Sequence, residues 1–257
     1  MVVSGDLQKR LSLYRVAMNL YSPIVIMSLM NYGIIGGTPP DIANRLLKYI
    51  RKKTGLYDPY ALIKEKEIQE AKRALLELKN TFPYSLEGAL KISALGNSMD
   101  FFINSVGYDI TGFKFFGHVD KIEKEIYNKG KEVLIIADNV GELYFDMRLI
   151  EFLENSGKKI YYAVKKHPVL NDLSMVDVIK FDLRKTFNNI ISTGTDEAGI
   201  RRQEIKGKIK ELWEGKGIVI AKGMANYETI SEFHTERPVI HIMKVKCPTV
   251  RNAVRKK

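Results

Sequence analysis

With 257 residues, 45% of them hydrophobic, the chain carries enough apolar material to bury a substantial core without disulfide or metal staples. Its one cysteine, Cys247, excludes an intrachain disulfide and any zinc site built on several cysteines, and it fits a reducing, intracellular compartment. The formal charge of +11 would suit an anionic partner, but the basic residues are dispersed among Glu and Asp, as at Lys158-Lys159, Lys165-Lys166, Lys206, Lys208 and Lys210. Without a basic stripe or an aromatic-and-basic RNA-binding motif, nucleic acid is not favoured as a partner.

From Leu7 to about Leu95 the apolar spacing is helical. The longest apolar stretch, Pro23 to Gly36, is interrupted by Ser28 and Asn31 and falls short of the roughly 20 residues that span a bilayer. No cleavable hydrophobic leader precedes it, so the expectation is a soluble, cytoplasmic protein with no membrane partner. Thr38-Pro39-Pro40 predicts a helix start, with Thr38 as N-cap and proline where no amide donor is needed, and Gly55 predicts its end. Asp58-Pro59 starts the next helix, which runs through Leu78 with Ala61, Ile68, Ala71, Leu75 and Leu78 on one stripe. Pro83 breaks it, and Ser85-Leu86-Glu87 begins another that leads into a turn at Gly96-Asn97.

From about residue 119 the period changes. Apolar runs at Val133 to Ala137, Ile160 to Val164, Ile190 to Ser192, Ile218 to Ala221 and Val239 to Met243 alternate with helical stretches, the pattern of a parallel sheet with helical crossovers. Gly130, Asn155-Ser156-Gly157 and Gly215-Lys216-Gly217 supply helix ends just ahead of strands. The fold class expected is α/β: a parallel, Rossmann-like, three-layer α/β/α domain over residues 119–257, preceded by a mostly helical domain over residues 1–118.

Polar clusters follow these strands. Asp138-Asn139-Val140-Gly141-Glu142 comes directly after the first run, Pro168-Val169-Leu170-Asn171-Asp172 after the second, and Lys222-Gly223-Met224-Ala225-Asn226-Tyr227-Glu228 after the fourth. Open α/β sheets bind ligands at the carboxyl ends of their strands, so these clusters mark a site. Two carboxylates and an amide oxygen on neighbouring strand ends make a hard, oxygen-only set suited to Mg²⁺ or Mn²⁺, and Asp138, Asn139 and Asp172 are assigned as its ligands. On residue type alone, each also fits a helix N-cap.

Together with Gly96-Asn97-Ser98-Met99-Asp100, the three clusters resemble the damage-control phosphatases, a metal-dependent family formerly known as domain of unknown function eighty-nine, in its prokaryotic stand-alone form. The match spans roughly residues 85 to 248. The resemblance implies hydrolysis of small phosphorylated metabolites, such as sugar phosphates or phosphopantetheine-like compounds. It points to the same three ligands, widens the metal list to cobalt and nickel, and makes Glu142 a substrate-pocket residue.

A metal that bridges a phosphate oxygen stabilises the charge gathered in phosphoryl transfer, which makes Asp138 and Asp172 the candidate catalytic carboxylates. Whether Asp138 attacks phosphorus or only ligates the metal is not encoded in spacing. Lys222 and Lys246, at or just past strand ends, are assigned to phosphate, with Asn226 as an amide donor; Gly223 would let the backbone approach a ligand. A surface role is nearly as good a reading of Lys246. Asn97 and Ser98 complete the pocket from the helical side, although Asn97 also suits a left-handed turn beside Gly96. Asp177 and Glu228 are read as supporting helix residues, His167 as a solvated loop residue, and Gly194 to Gly199 as only loosely like a phosphate loop, since Ile200 and Arg201 stand where Lys-Ser/Thr is needed. Two rival functions are a carboxylate methyltransferase, disfavoured by the lack of a glycine-rich cofactor loop, and a noncatalytic nucleic-acid binder. The sequence defines no oligomeric state.

Overall fold

The computed structural model describes residues 38–78, 80–98, 113–246 and 248–255; the Pro23 to Gly36 stretch, Met99, Asp100 and Cys247 lie outside the described residues. Helix α1, Pro39–Thr54, starts at Thr38, whose backbone N–H and hydroxyl donate to the Asp41 carboxylate at 2.9 and 2.7 Å. It ends at Gly55, which takes a left-handed conformation (φ 69°) and donates its N–H to the Arg51 carbonyl. Helix α2, Ala61–Leu78, follows a turn in which the Asp58 carboxylate accepts the Tyr60 N–H at 2.9 Å. Helix α3, Leu86–Ser98, follows Ser85, whose hydroxyl accepts the Gly88 N–H at 3.1 Å.

One sequence expectation is corrected here. Gly96 and Asn97 are not a turn but the last part of α3. Helix α5, Glu142–Asn155, approaches so closely that a Cβ on Gly96 would stand 2.7 Å from Phe145 Cβ. Glycine at 96 therefore serves helix packing and not a reversal of the chain, and Asn97 projects from a helix end.

Helix α4, Val119–Asn128, leads into strands β1 (Glu132–Ile136), β2 (Lys159–Val164), β3 (Ile190–Ser192), β4 (Ile218–Lys222) and β5 (Val239–Ile242). All pairings are parallel, in the order β3-β2-β1-β4-β5. These strands match the expected apolar runs to within a residue at their ends. Helices α6 (Met175–Lys180), α7 (Gly207–Glu214), α8 (Gly223–Ile230) and α9 (Pro248–Arg255), with two short 3-10 helices at Leu183–Lys185 and Arg202–Glu204, complete the described elements. The chain winds outward from β1 to β3, returns to β4 and continues to β5. The order thus reverses between β1 and β4, the place at whose carboxyl edge open α/β sheets bind ligands.

Alternation along the strands makes three layers. Val133, Ile135, Tyr162, Val164, Ile218 and Ile220 face a core shared with Ile68 of α2, Leu90 of α3 and Leu143, Leu149, Ile150 and Leu153 of α5. Their neighbours Leu134, Ile136, Ala163, Val219 and Ala221 face Ile209, Leu212 and Trp213 of α7 and Ile230 of α8. Central strands buried on both faces explain the unbroken apolar runs. Among the described residues, no helix is long and apolar enough to cross a membrane.

The expected stripe on α2 holds, with Ile68, Ala71 and Leu78 buried, but it also buries Lys64 and Glu67. The Lys64 ammonium lies 2.9 Å from Asp177 and 3.3 Å from Asp58, joining α2 to α6 across the molecule. Removing one partner of a buried ion pair strands the other, so Lys64→Ala is expected to lower folding stability by about 3 kcal/mol in urea denaturation. A loss below about 0.5 kcal/mol, the size of a surface substitution, would show that the pair contributes nothing to holding α2 in place.

Candidate active site

The candidate site is built from the carboxyl ends of β1, β2 and β4 and from the end of α3. Past β1, the backbone turns through Asp138 and Asn139 into α5, while past β2 it makes a tight turn in which the Asp172 N–H donates to the Val169 carbonyl at 3.0 Å. The two segments then pair with one another. The Val140 N–H donates to the Asn171 carbonyl at 2.9 Å and the Leu173 N–H to the Asp138 carbonyl at 2.8 Å, so Asn139 and Asp172 face each other as an isolated antiparallel bridge. This pairing brings the side chains of Asp138, Asn139 and Asp172 to one end of the sheet.

None of the three serves as the helix cap that residue type allowed. Gly141 occupies the N-cap position of α5, and the cap of α6 is Ser174, whose N–H and hydroxyl donate to Asp177 at 2.9 and 2.5 Å. Asn139 is instead a donor: its amide nitrogen lies 2.8 Å from Glu142 Oε1 and 3.3 Å from Asp138 Oδ2. With the nitrogen so engaged, its oxygen is the atom left to ligate. Asn97 reaches across from α3 and donates to Asp138 Oδ2 at 2.9 Å and Glu142 Oε1 at 2.6 Å, while its own oxygen accepts the Lys244 N–H at 2.7 Å. Ser98 closes α3, and its side chain lies outside the described part of the structure.

Lys222 and Asn226 stand elsewhere than on an open phosphate pocket. Lys222 is wholly buried, its ammonium 2.6 Å from Asp146 Oδ1, 2.8 Å from the Ser93 hydroxyl, 3.0 Å from the Ser93 carbonyl and 3.0 Å from Glu142 Oε2. Asn226 donates to the Ala137 carbonyl at 3.1 Å and the Lys222 carbonyl at 2.7 Å, tying the ends of β1 and β4 together. Both side chains thus spend their hydrogens on the protein. Lys246 is exposed, close enough to Asp138 for its charge to favour the ionised carboxylate.

Sequence reasoning missed the residues beneath the site. Asp146 accepts from Ser93 at 2.5 Å and from the Tyr162 hydroxyl at 2.7 Å, forming a chain from Tyr162 through Asp146, Lys222 and Glu142 to Asn97 and Asp138. Helical spacing held a signal: Asp146 lies one turn beyond Glu142 on α5, and Ser93 one turn before Asn97 on α3. Burial alone would strip the Lys222 proton, but Asp146 and Glu142 more than reverse it and leave its pKa raised. Burial, with the charges of Asp146 and Glu142, pushes the Tyr162 phenol up as well, so Tyr162 stays a donor.

The carboxylates of the site are short of compensation. Burial, then the charges of Glu142 and Asp172, hold the Asp138 pKa well above the ordinary carboxylate range, against the smaller pull of Lys246 and the Asn97 hydrogen bond. Asp172 is raised to about 6, chiefly by burial, although Lys165 and Lys64 oppose the shift. Its Oδ2 is buried without a hydrogen-bond partner, 3.8 Å from the Lys165 ammonium. Glu142 cannot act as a third ligand of the same kind, because Oε1 is occupied by Asn97 and Asn139, and Oε2 faces Lys222. Among the described residues no three His, Cys, Asp or Glu side chains form a metal-binding group.

Gly223 opens α8 with φ 77°, and a Cβ there would stand 1.9 Å from Asp138 Oδ2. The glycine makes room for the carboxylate. Gly223→Ala is therefore expected to displace Asp138 while the sheet stays folded, with far-ultraviolet dichroism unchanged and divalent-ion binding weakened; an alanine variant that binds Mn²⁺ like the parent would show that this contact is not limiting.

Comparison with known proteins identifies the family. The model of the damage-control phosphatase ARMT1-like domain matches residues 26–257. The chain is similar to damage-control phosphatase PH1575 of Pyrococcus horikoshii, 32% identical over 220 residues that cover 82% of this chain and 76% of that protein. It is also similar to a damage-control phosphatase of Archaeoglobus fulgidus, 24% identical over 223 residues, 81% of this chain and 76% of that one. The crystal structure of a DUF89 family protein from Pyrococcus horikoshii superposes with a TM-score of 0.75 at 25% identity, covering 99% of this chain and 95% of the other.

Proposed function

Since this chain belongs to the damage-control phosphatase family and is a phosphatase, we propose that it hydrolyses small phosphorylated metabolites, such as sugar phosphates or phosphopantetheine-like compounds, with a divalent metal held by Asp138, Asn139 and Asp172. The observation that carries this reading is the Asn139–Asp172 backbone bridge. It unites oxygen donors from two strand ends where Asp172 Oδ2 is buried and without a hydrogen-bond partner. Such a set suits Mg²⁺ or Mn²⁺, and the family adds cobalt and nickel. When bound, the ion supplies positive charge to phosphoryl oxygens and activates water.

In this reading the protein's residues hold and orient. Asn97 fixes Asp138 and Glu142 from the helical side, and Ser98 lies beside it in the chain. Glu142, whose two oxygens are engaged by Asn97, Asn139 and Lys222, contacts the substrate only by exchanging one of these partners, and Lys246 brings a cation to the site. Lys222 fixes the position and charge of Glu142 from below, and reaches a phosphate only by exchanging one of its protein partners. Asn226 keeps the β1 and β4 ends in register beneath the substrate.

Phosphate release from a panel of metabolites, with Mn²⁺, Co²⁺, Ni²⁺ or Mg²⁺ supplied in turn, tests the proposal. Asp138→Ala and Asp172→Ala are each expected to lower metal-dependent release by about a hundredfold or more, and chelation to abolish it. Full activity in either variant refutes the site.

The raised carboxyl pKa values give a second test. The metal-free folded state holds the Asp172 proton up to about pH 6, whereas the unfolded chain releases it near 3.8. The folded state therefore binds more protons in that interval, and stability falls as pH rises through it. Thermal unfolding of the metal-free protein is expected at lower temperature at pH 7, above this window, than at pH 5, inside it, and Mn²⁺ is expected to restore stability chiefly at the higher pH. A Mn²⁺ effect that is independent of pH would count against Asp172 as a ligand.

A further inference from the structure

The turn that presents Asp172 contains a conformation that leucine avoids. Leu170 has φ 47°, in the left-handed region where a side chain clashes with the backbone and glycine is the usual occupant. Such strain persists only where the surroundings over-determine it. Here they do: Leu170 is buried in one cluster with Ala43 and Leu47 of α1 and Tyr60 just before α2. A second tie comes from the same helix, because the Arg51 guanidinium donates to the carbonyl of Pro168. Both anchored positions, Pro168 and Leu170, precede Asp172 by at most four residues.

We propose that Leu170 and Arg51 are positioning residues through which α1 sets the place of Asp172. The inference rests on the metal site proposed above. Leu170 seated among Ala43, Leu47 and Tyr60 fixes the middle of the turn, and Arg51 fixes its entry. The Asn139–Asp172 bridge fixes its exit. With all three in place, the Asp172 carboxylate is presented to the β1 loop without rearrangement. A helix of the amino-terminal part thus governs metal affinity without contributing a ligand.

Isothermal titration with Mn²⁺ and no substrate tests this, with thermal unfolding recorded in parallel. Leu170→Gly relieves the strain and removes the anchor, and Arg51→Gln removes the second tie at a partly exposed position, together with the bond from Arg51 to the Tyr57 carbonyl. Each is expected to weaken Mn²⁺ binding by about tenfold, the size of effect seen when support behind a ligand is lost, while Leu170→Met, which refills the same space, stays within about twofold of the parent. A merely structural role would lower the unfolding temperature and leave Mn²⁺ affinity unchanged in folded protein. Parent-like Mn²⁺ affinity in both Leu170→Gly and Arg51→Gln overturns the inference. Asp172→Ala separates the two levels of argument: if it and the parent bind Mn²⁺ alike, the metal reading itself fails, whereas loss in Asp172→Ala with retention in the two anchor variants defeats only the role of α1.

Discussion

A lysine ammonium without access to water costs several kcal/mol unless opposite charge and hydrogen bonds surround it. Lys222 meets that condition through Asp146, Glu142 and both oxygens of Ser93, contributed by α5 and α3. Because the ammonium cannot relax into solvent, these partners are held in one arrangement. Glu142, fixed on one side by Lys222, presents its other oxygen to Asn97 and Asn139, and Asn97 in turn holds Asp138. The candidate site inherits its geometry from a buried charge that lies beneath it.

The same logic explains why four carboxylates are tolerated close together. Lys222 serves Asp146 and Glu142, and Lys165 and Lys64 lie near Asp172, yet the compensation falls short at Asp138 and Asp172, whose pKa values stay raised. Raised carboxyl pKa values at strand ends are a common mark of functional sites, in keeping with the metal site proposed above. The cost is spread over the helices in front of the sheet. Helix α3 contributes Ser93 and Asn97, α2 contributes Lys64, and α1 clamps the turn before Asp172, so the helical segment is a working part of the site.

Much of the fold was legible in local pattern. The five apolar runs became the five strands, the Thr38 and Ser85 signals opened helices, and Gly55 closed one. The three clusters after β1, β2 and β4 lie at one edge of the sheet, as their positions after strands required. The site's interior was less legible. Gly96-Asn97 read as a turn because glycine followed by asparagine is a turn signal, but the pressure on Gly96 came from Phe145, a residue far along the chain. Lys222 read as a phosphate ligand at a strand end, and its burial among Asp146, Glu142 and Ser93 was not legible, because the acceptors that bury it are on other elements.

The sequence by itself therefore determined the period of each segment, the α/β class, the strand-end placement of Asp138, Asn139, Asp172 and Lys222, and the family to which those motifs belong. These depend on backbone geometry over a few residues and on residue order, which a linear chain displays. Tertiary structure alone decided which polar hydrogens remain for a ligand, which charges are buried and which turn is held under strain. The reason is distance along the chain: Lys222 and Ser93 are 129 positions apart, and Asn97 and Asp138 are 41. Charge burial and hydrogen-bond occupancy are properties of such pairs, and no local pattern of residues encodes them.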